Sequence, residues 1–280
     1  MKMNKKATHD FKINDLPKNR KEVFFDCLKM RYGIIMGLGL MCVLFALPIV
    51  ICLLLRDISL SSLLENIANQ KYEEGEGYEL FYTLKMTYSV VMVPCFVIFG
   101  IGLSGVMYII RQLVWYEGMF FFSDFFEGIK KNWKAYTASF FALGIYNVEL
   151  TMLNYRQLSE MWYGIYLGVG LLLVIPIVIF ILLMSLIYKF SFRGSVRNAF
   201  LLYMRSITKT LLAELSIVLA FVPMGITHVV FKYIVLLVFV LFLLPPILMG
   251  VVLYGFSLFD KYINKEQYPE LVNKGIFKCF

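Results

Sequence analysis

Long apolar stretches alternate with short polar segments along almost the whole chain. A helix needs about 20 apolar residues to cross a bilayer core of roughly 30 Å. The stretches near or above this length are Gly33–Leu55, Thr87–Ile110, Thr137–Tyr155, Tyr163–Tyr188, Leu211–His228 and Tyr233–Phe259. The third and fifth are the weakest, because they are shorter and contain Glu149 and Glu214. The pattern predicts an all-α membrane protein with six transmembrane helices.

Lysine and arginine are concentrated in every second polar segment. Segments 1–32, 111–136, 189–210 and 260–280 hold 22 of the 27 basic residues, and the segments between them hold five. Cytoplasmic loops are enriched in Lys and Arg. We therefore expect both termini in the cytoplasm and an even number of crossings. Six crossings are favoured over four, because four would move the basic segment Lys189–Arg205 to the outer side.

The polar segments divide the chain into three regions. Residues 1–32 are expected to form a cytoplasmic segment with an interfacial helix, and residues 33–259 the transmembrane domain. Residues 260–280 are expected to be a cytoplasmic tail with no fold of its own. The longest outer segment, 56–86, is rich in Glu after a short amphipathic stretch, which predicts a solvated acidic loop.

The segment before each odd-numbered span has apolar residues at helical spacing with Lys and Arg beside them. Before the third span the apolar positions are Phe122, Phe126, Ile129, Trp133 and Tyr136, and the basic ones are Lys130, Lys131 and Lys134. Such helices lie in the membrane interface. Each even-numbered span also carries proline, at Pro94, Pro176 and Pro245–Pro246. We predict three hairpins, each preceded by an interfacial amphipathic helix; the alternative is that membrane hairpins share these features without a repeat.

Composition supports a membrane protein and excludes several other classes. Hydrophobic residues make up 60% of the chain, and the mean hydropathy is +0.74. The net charge of +8 lies beside apolar spans, which favours an anionic inner leaflet over nucleic acid as its partner. Five cysteines and two histidines form no metal-ligand cluster, so we expect no metal and no cofactor.

No enzyme motif is present, and we therefore expect no catalytic site. The chain lacks a GxSxG elbow, an HExxH motif and a P-loop. Residues 100–105 match GxGxxG by letter, but they lie inside an apolar span, where Gly100 and Ser104 are better explained by close helix packing.

Glu149 is the strongest candidate for a polar functional site, because ionisable groups inside a membrane are costly. Its polar neighbours along the chain are Asn147, Thr151 and Asn154. These residues are expected to line a polar pocket or one step of a proton or solute path. The alternative is that the third span ends early and Glu149 lies among the outer headgroups. Glu214 is expected to pair with Lys209 or Arg205.

Three sequence stretches together resemble the YesL-like family of small bacterial membrane proteins, whose molecular function is unknown. They are the apolar Leu44–Val50, the motif Phe125–Trp133 (FFEGIKKNW), and the C-terminal Asp260–Asn264 with Tyr268–Glu270 and Lys274–Gly275. The similarity spans roughly residues 22–276. It implies a Gram-positive cell membrane and an association with carbohydrate uptake, and it supplies no catalytic or binding residues.

Two functions from different classes are consistent with these observations. The first is a non-enzymatic accessory or regulatory component that works with a sugar permease or membrane sensor. Its docking patch would comprise Phe125, Phe126, Lys130, Lys131 and Trp133, and lipid anchoring is the alternative role for these residues. The second is a small secondary transporter or channel with a polar site near Glu149. An intramembrane enzyme acting on lipid is a third class, without a visible site.

Overall fold

The computed structural model describes residues 16–69, 71–72, 74–155, 160–218 and 225–277. Every regular element in these ranges is a helix. The α-helices are α1 (Arg20–Met30), α2 (Tyr32–Ala68), α3 (Glu74–Val114), α4 (Phe121–Tyr155), α5 (Glu160–Val169), α6 (Ile175–Ser185), α7 (Phe192–Val218), α8 (Val229–Phe242), α9 (Leu244–Phe259) and α10 (Lys265–Gln267). Residues 1–15 of the predicted N-terminal segment lie outside this description.

Two π-helical turns join α-helices into longer rods. The turn Gly170–Val174 joins α5 to α6, and the turn Asp260–Asn264 joins α9 to α10. The helices long and apolar enough to cross a membrane, within the described ranges, are Tyr32–Ala68, Gly75–Val114, Met161–Ser185 and Leu244–Gln267. The prediction of an all-α, multi-pass membrane protein is therefore confirmed. The third and fifth predicted spans fall on α4 and α7, which are outside this set, and residues 219–224 of the fifth lie outside the described residues.

The predicted outer loop, 56–86, is mostly helical in the structure. α2 continues to Ala68 and α3 begins at Glu74, so only a short connection separates two long helices. The 37 residues of α2 span about 55 Å, well beyond the roughly 30 Å of a bilayer core. The hydroxyls of Ser59 and Tyr88 lie 2.9 Å apart and join the two helices in this region. The expected loop is therefore corrected to the end of a helical hairpin.

α3 and α4 run antiparallel and form the most extensive helix pair in the described structure. Glycines allow their backbones to approach: a Cβ atom at Gly100 would lie 2.6 Å from the Phe140 ring, and one at Gly144 would lie 3.1 Å from Val93. Small residues at such crossings are typical of membrane helices. The interpretation of Gly100 as a packing residue is therefore confirmed.

The predicted interfacial helices join the following spans in three different ways. α1 is separated from α2 by a break at Arg31, where the backbone is not helical. α7 is kinked at Ser206, whose φ of −140° and ψ of 24° lie outside the helical region. α4 continues from Phe121 to Tyr155 without a break, because nothing in this proline-free segment interrupts its hydrogen bonds. These junctions therefore show no threefold regularity.

The sixth predicted span is divided at Leu243, between α8 and α9. Pro245 lacks the N–H that would bond to the carbonyl of Leu241, and this loss ends the helix. The freed Leu241 carbonyl faces α2 at Gly39, where a Cβ atom would lie only 1.9 Å from its oxygen. Glycine is the residue that lets α2 and α8 pack this closely.

The C-terminal segment, predicted as a tail with no fold of its own, is folded against the bundle over residues 260–277. Its π-turn, the short α10 and a 3₁₀ turn at Pro269–Leu271 follow α9 directly. The Phe277 N–H donates to the Pro17 carbonyl oxygen at 3.0 Å. Gly275 has a φ of 83° and lies against the Val114 carbonyl, a position where a side chain would be strained and would clash.

The basic segments meet at one end of the bundle. Tyr116 contacts Asp26, and Tyr188 contacts Asn264, across segments that are far apart in sequence. We call the part formed by residues 16–31, 111–136, 186–205 and 260–277 the basic end, and the opposite part the far end. The main apolar core lies towards the basic end, among α3, α4, α6 and α9. Exposed leucines along α2, such as Leu40 and Leu44, face outward as expected for a lipid-facing surface.

Candidate functional site

The four residues of the predicted polar pocket lie on two faces of α4. Glu149 is exposed, and its carboxylate accepts a hydrogen bond from the Tyr166 hydroxyl of α5. Thr151 faces α3 instead, with its hydroxyl 2.7 Å from that of Ser89. Asn154 is exposed, and Asn147 is half-buried.

Helical geometry explains why these residues separate. Successive residues of an α-helix are rotated by about 100°, so positions two apart point in nearly opposite directions. Asn147, Thr151 and Asn154 follow a spacing of four and three and share a face, whereas Glu149 does not. The expectation that Glu149 and these neighbours line one pocket is therefore corrected. On the Glu149 side of α4, the Tyr146 ring stacks on the ring of Tyr166, with the ring centroids 4.8 Å apart.

The predicted docking patch on α4 also divides into buried and exposed residues. Phe125 is completely buried against Gly105 and the Phe45 ring, so it is removed from the patch as a correction. Phe126 and Trp133 are 55% and 44% exposed. Lys130 and Lys131 are exposed as well.

Phe122, Phe126, Lys130 and Trp133 form an exposed strip, which we call the α4 strip. Their spacing of four, four and three places them on one side of the helix. Phe122 is 67% exposed, which makes it the most accessible of the four. The predicted apolar face of this helix is therefore divided. Phe122, Phe126 and Trp133 are exposed, whereas Ile129 packs against the core and Tyr136 is completely buried, as Phe125 is.

Lys131, beside the strip, forms its polar contacts with neighbouring residues of α3 and α4. Its amine lies 2.5 Å from the Glu127 carboxylate and donates to the Tyr108 hydroxyl at 3.0 Å. The hydrogen bond from Lys131 lowers the pKa of the exposed Glu127 carboxyl, and the same bond raises the pKa of the Lys131 amine. Lys131 is therefore less available to a partner than Lys130.

A polar network fixes the C-terminal segment to the basic end. The Asp260 carboxylate pairs with Arg20 of α1, and it accepts hydrogen bonds from the Asn264 side chain at 2.8 Å and the Asn273 N–H at 3.2 Å. The Tyr188 hydroxyl donates to Asn264 from the end of α6. The network therefore ties α1, α6 and α9 to a segment that sequence reasoning left unstructured.

A second group of contacts joins the same segment to the turn between α3 and α4. The Glu117 carboxylate accepts from Lys274 at 2.8 Å and from Arg111 at 3.1 Å. The Arg111 guanidinium lies over the Tyr108 and Trp115 rings and donates to the Leu186 carbonyl at 3.3 Å. Such contacts with aromatic faces stabilise a partly buried cation.

The cysteine that the structure describes at this end, Cys27, is not a reactive thiol. Cys27 is buried in α1, and its thiol contacts the Leu113 carbonyl. Burial first, and then the neighbouring Asp26 charge, raises the pKa of the Cys27 thiol to about 11. Cys42 and Cys52 are free and buried as well. Within the described residues, no group of three His, Cys, Asp or Glu side chains is placed to hold a metal ion.

The structure brings together a charged cluster at the far end that sequence reasoning missed. Asp57 of α2 accepts from Lys232 and from the Tyr233 hydroxyl of α8, the latter at 2.9 Å. Arg56 donates to the other carboxylate oxygen at 3.0 and 3.1 Å. Lys232 and Asp57 are both largely buried. The only sequence signal is that each charge borders an apolar stretch.

Glu214 also differs from expectation, because it pairs with neither Lys209 nor Arg205. Its side chain is buried between α6, α7 and α9, and neither carboxyl oxygen has a hydrogen-bond partner in the described structure. Lys209 and Arg205 are exposed, five and nine residues away, on the other side of the helix. A partner on the same face would have to be three or four residues away, and Thr210 occupies that position.

Comparisons with known proteins found no match for this chain among protein-family models, curated proteins or solved structures.

Proposed function

We propose that this chain is a six-span accessory or regulatory protein of a bacterial cell membrane, linked to carbohydrate uptake, with both termini in the cytoplasm. The observation that supports the docking role is the α4 strip, an exposed aromatic and basic surface on a helix whose opposite side packs into the core. The resemblance to the YesL-like family supports the link with uptake. A sugar permease or membrane sensor is the proposed partner.

The packing of α4 supports the proposed third crossing. Its contacts with α3 run from Gly128 against Tyr108, near the basic end, to Thr151 against Ser89, near the far end. The segment of α4 from Gly128 to Thr151 therefore lies beside α3, a helix long and apolar enough to cross the membrane. A helix in that position is shielded from lipid on one side, which makes its polar residues tolerable.

The convergence of basic segments supports the proposed orientation. Residues 16–31, 111–136, 186–205 and 260–277 meet at one end, as an inner face rich in Lys and Arg requires. Exposed aromatic residues at the same end, including Phe120 and Phe192, suit the headgroup region, where aromatic side chains are enriched. The proposed orientation places these residues at the anionic inner leaflet.

The accessory role is preferred to transport through a site at Glu149. Glu149 is exposed and bonded to Tyr166, whereas Thr151 bonds to Ser89 of α3 and Asn154 is exposed. A solute path would need these groups to face a shared space.

Photo-crosslinking in cells tests the docking role. A photoreactive phenylalanine analogue at Phe126 or Trp133 is expected to crosslink a membrane protein partner. The matched control is the same analogue at Trp162, which is 55% exposed but belongs to α5, towards the far end. Adducts with lipid alone from Phe126 and Trp133 would contradict docking and leave lipid anchoring as the role of the strip.

Surface substitutions provide a second, quantitative test. The double variant Phe126→Ser with Lys130→Glu changes two exposed residues, so we expect its fold to be retained. Co-purification of the crosslinked partner should fall about tenfold, since loss of one aromatic anchor and reversal of one charge exceeds 1.4 kcal/mol in a typical interface. Unchanged co-purification would remove the strip from the interface.

A further inference from the structure

Glu214 combines deep burial with the absence of any bonding partner in the described structure. Its side chain is 5% exposed, and both carboxyl oxygens are buried without a hydrogen bond. An ionised carboxylate in such a place is costly unless it is paired, whereas the protonated acid is neutral. The protonated form also has a hydroxyl that can donate.

The helices around Glu214 contain no cation that could pair with it. α6 and α9 lack Asp, Glu, Lys, Arg and His, and Tyr254 is their one titratable residue. On α7 the nearby charges, Arg205 and Lys209, are exposed and point away, while the buried Tyr203 donates its hydroxyl to the Leu172 carbonyl. Residues 219–224, which lie outside the described structure, include no charged residue by sequence. A proton is therefore the simplest neutralising ligand.

Hydroxyl groups beside Glu214 provide a path for that proton. Thr210 lies one turn earlier on α7 and lines the same cavity, and its hydroxyl is 3.0 Å from that of Tyr254 on α9. Ser206, at the kink, places its hydroxyl 3.1 Å from Thr210. The cavity volume is about 10 Å³, close to the space that one water molecule needs. One water could therefore connect Glu214 with Thr210.

Tyr254 connects this cavity to a groove at the basic end. The groove lies between α1 and α9, has a volume of about 400 Å³ and is lined by Lys21, Phe25, Ser257 and Tyr254, among others. Arg20 also borders it, with one guanidinium nitrogen bonded to Asp260. Tyr254 therefore lines both the groove and the cavity, and its hydroxyl contacts Thr210.

We propose that Glu214 is a proton-binding site within the bundle, loaded from the basic end through Tyr254 and Thr210. In each exchange a hydroxyl gives one proton and receives another, so the relay residues end unchanged and only Glu214 gains or loses charge. Loss of the proton creates a charge that must recruit water between α6, α7 and α9. The kink at Ser206 is the place where α7 can yield, because its backbone is already non-helical there. This role is separate from docking by the α4 strip.

Infrared difference spectroscopy of the full chain in liposomes tests the proposal. The carbonyl band of a protonated carboxyl group is expected at near-neutral pH, and Glu214→Gln should remove it. Its intensity should fall about tenfold for each pH unit above the midpoint of titration. Glu149→Gln is the matched control and should leave the band unchanged. Absence of the band in the unsubstituted protein would overturn the proposal, and this measurement needs no variant to fold.

Two further measurements test the ligand and the route. Addition of sodium at constant pH should leave the carbonyl band intact. Loss of the band on addition of sodium would show that a metal cation, and not a proton, is the ligand of Glu214. Tyr254→Phe removes only the hydroxyl, and it should slow the response of the band to a pH jump about tenfold while the endpoints stay the same. An unchanged rate would overturn the route through Tyr254. Glu214→Leu serves as a second variant if Glu214→Gln is unstable.

Discussion

Asp57 and Glu214 are both buried carboxyl groups on helices of the same bundle, and their surroundings are opposite. Asp57 at the far end receives hydrogen bonds from three side chains, including the cation Lys232. Glu214 in the core receives none from the described residues. The two buried acids therefore have different roles. Asp57 fixes the position of α8 on α2, whereas Glu214 bonds to no neighbour in the described structure and, as proposed, exchanges a proton.

The two sites also differ in what each carboxyl group needs to remain buried. A buried ion pair depends on both partners, since removing one leaves the other charge uncompensated. A buried acid without partners remains neutral, and therefore tolerable in the core, only while it holds its proton. Substitutions at Asp57 and Glu214 should therefore change the stability in opposite directions, and this contrast can be measured.

The largest effect is expected for Asp57→Asn. The variant keeps the shape of the side chain but leaves the amine of Lys232 without its counter-charge in a site that is 9% exposed. We expect a loss of about 3 kcal/mol in the free energy of unfolding, measured by SDS titration in mixed micelles.

The double variant Asp57→Leu with Lys232→Met is its control. It removes both charges, so its loss should be smaller than that of Asp57→Asn alone. If the double variant is the less stable of the two, the ion pair is not what holds α8 against α2.

A smaller effect of opposite sign is expected for Glu214→Leu. Replacing an acid without hydrogen bonds by an apolar side chain should increase the free energy of unfolding by about 1 kcal/mol. If the folded state holds the proton as proposed, the unsubstituted protein binds more protons folded than unfolded, so its stability falls as the pH rises. The advantage of the leucine variant should therefore grow towards alkaline pH.

Thr210→Val provides a matched comparison, because it removes a hydroxyl from the same cavity without removing a titratable group. The difference in the free energy of unfolding between Thr210→Val and the unsubstituted protein should not change with pH as the pH is raised towards alkaline values. A pH-dependent difference in Thr210→Val, or a constant one in Glu214→Leu, contradicts the assignment of the titration to Glu214.

The smallest effect is expected for Glu127→Gln, which breaks an exposed ion pair with Lys131 on α4. Exposed pairs contribute little because water screens both charges. We expect no resolvable change in the unfolding midpoint at neutral pH. Any contribution should vanish as the pH falls through the lowered pKa of the Glu127 carboxyl. A loss comparable with that of Asp57→Asn would show that burial is not what separates the two pairs.

The features that depend on local pattern could be predicted from the sequence. Apolar length predicted the membrane class and the positions of α2, α3 and the α5–α6 rod, because a bilayer imposes that length directly. The small residue Gly100 predicted close packing, and its Cβ position against Phe140 confirms it. The distribution of Lys and Arg predicted which segments share an end, and the structure brings these segments together.

The features that depend on three-dimensional partners could not be predicted. The pairing of Asp57 with Lys232 joins residues 175 positions apart, and neither residue type specifies the other. Phe125 and Phe126 are adjacent residues of the same type, so the sequence does not distinguish them. Phe125 is buried because its side of α4 packs against α3. The fold of residues 260–277 depends on distant partners such as Arg20 and Glu117, so a polar composition alone suggested a tail.

The bond from Phe277 to Pro17 has a consequence for the order in which the molecule is made. Arg20 of α1 is synthesised early, but its partner Asp260 leaves the ribosome only after α2 to α9 have been made. Until then the Arg20 guanidinium lacks this carboxylate partner, whereas α1 can already contact α3 and the turn that follows it through Cys27 and Asp26. The joining of the two chain regions is therefore delayed until α9 has been made, so that it is among the last contacts that the molecule can form.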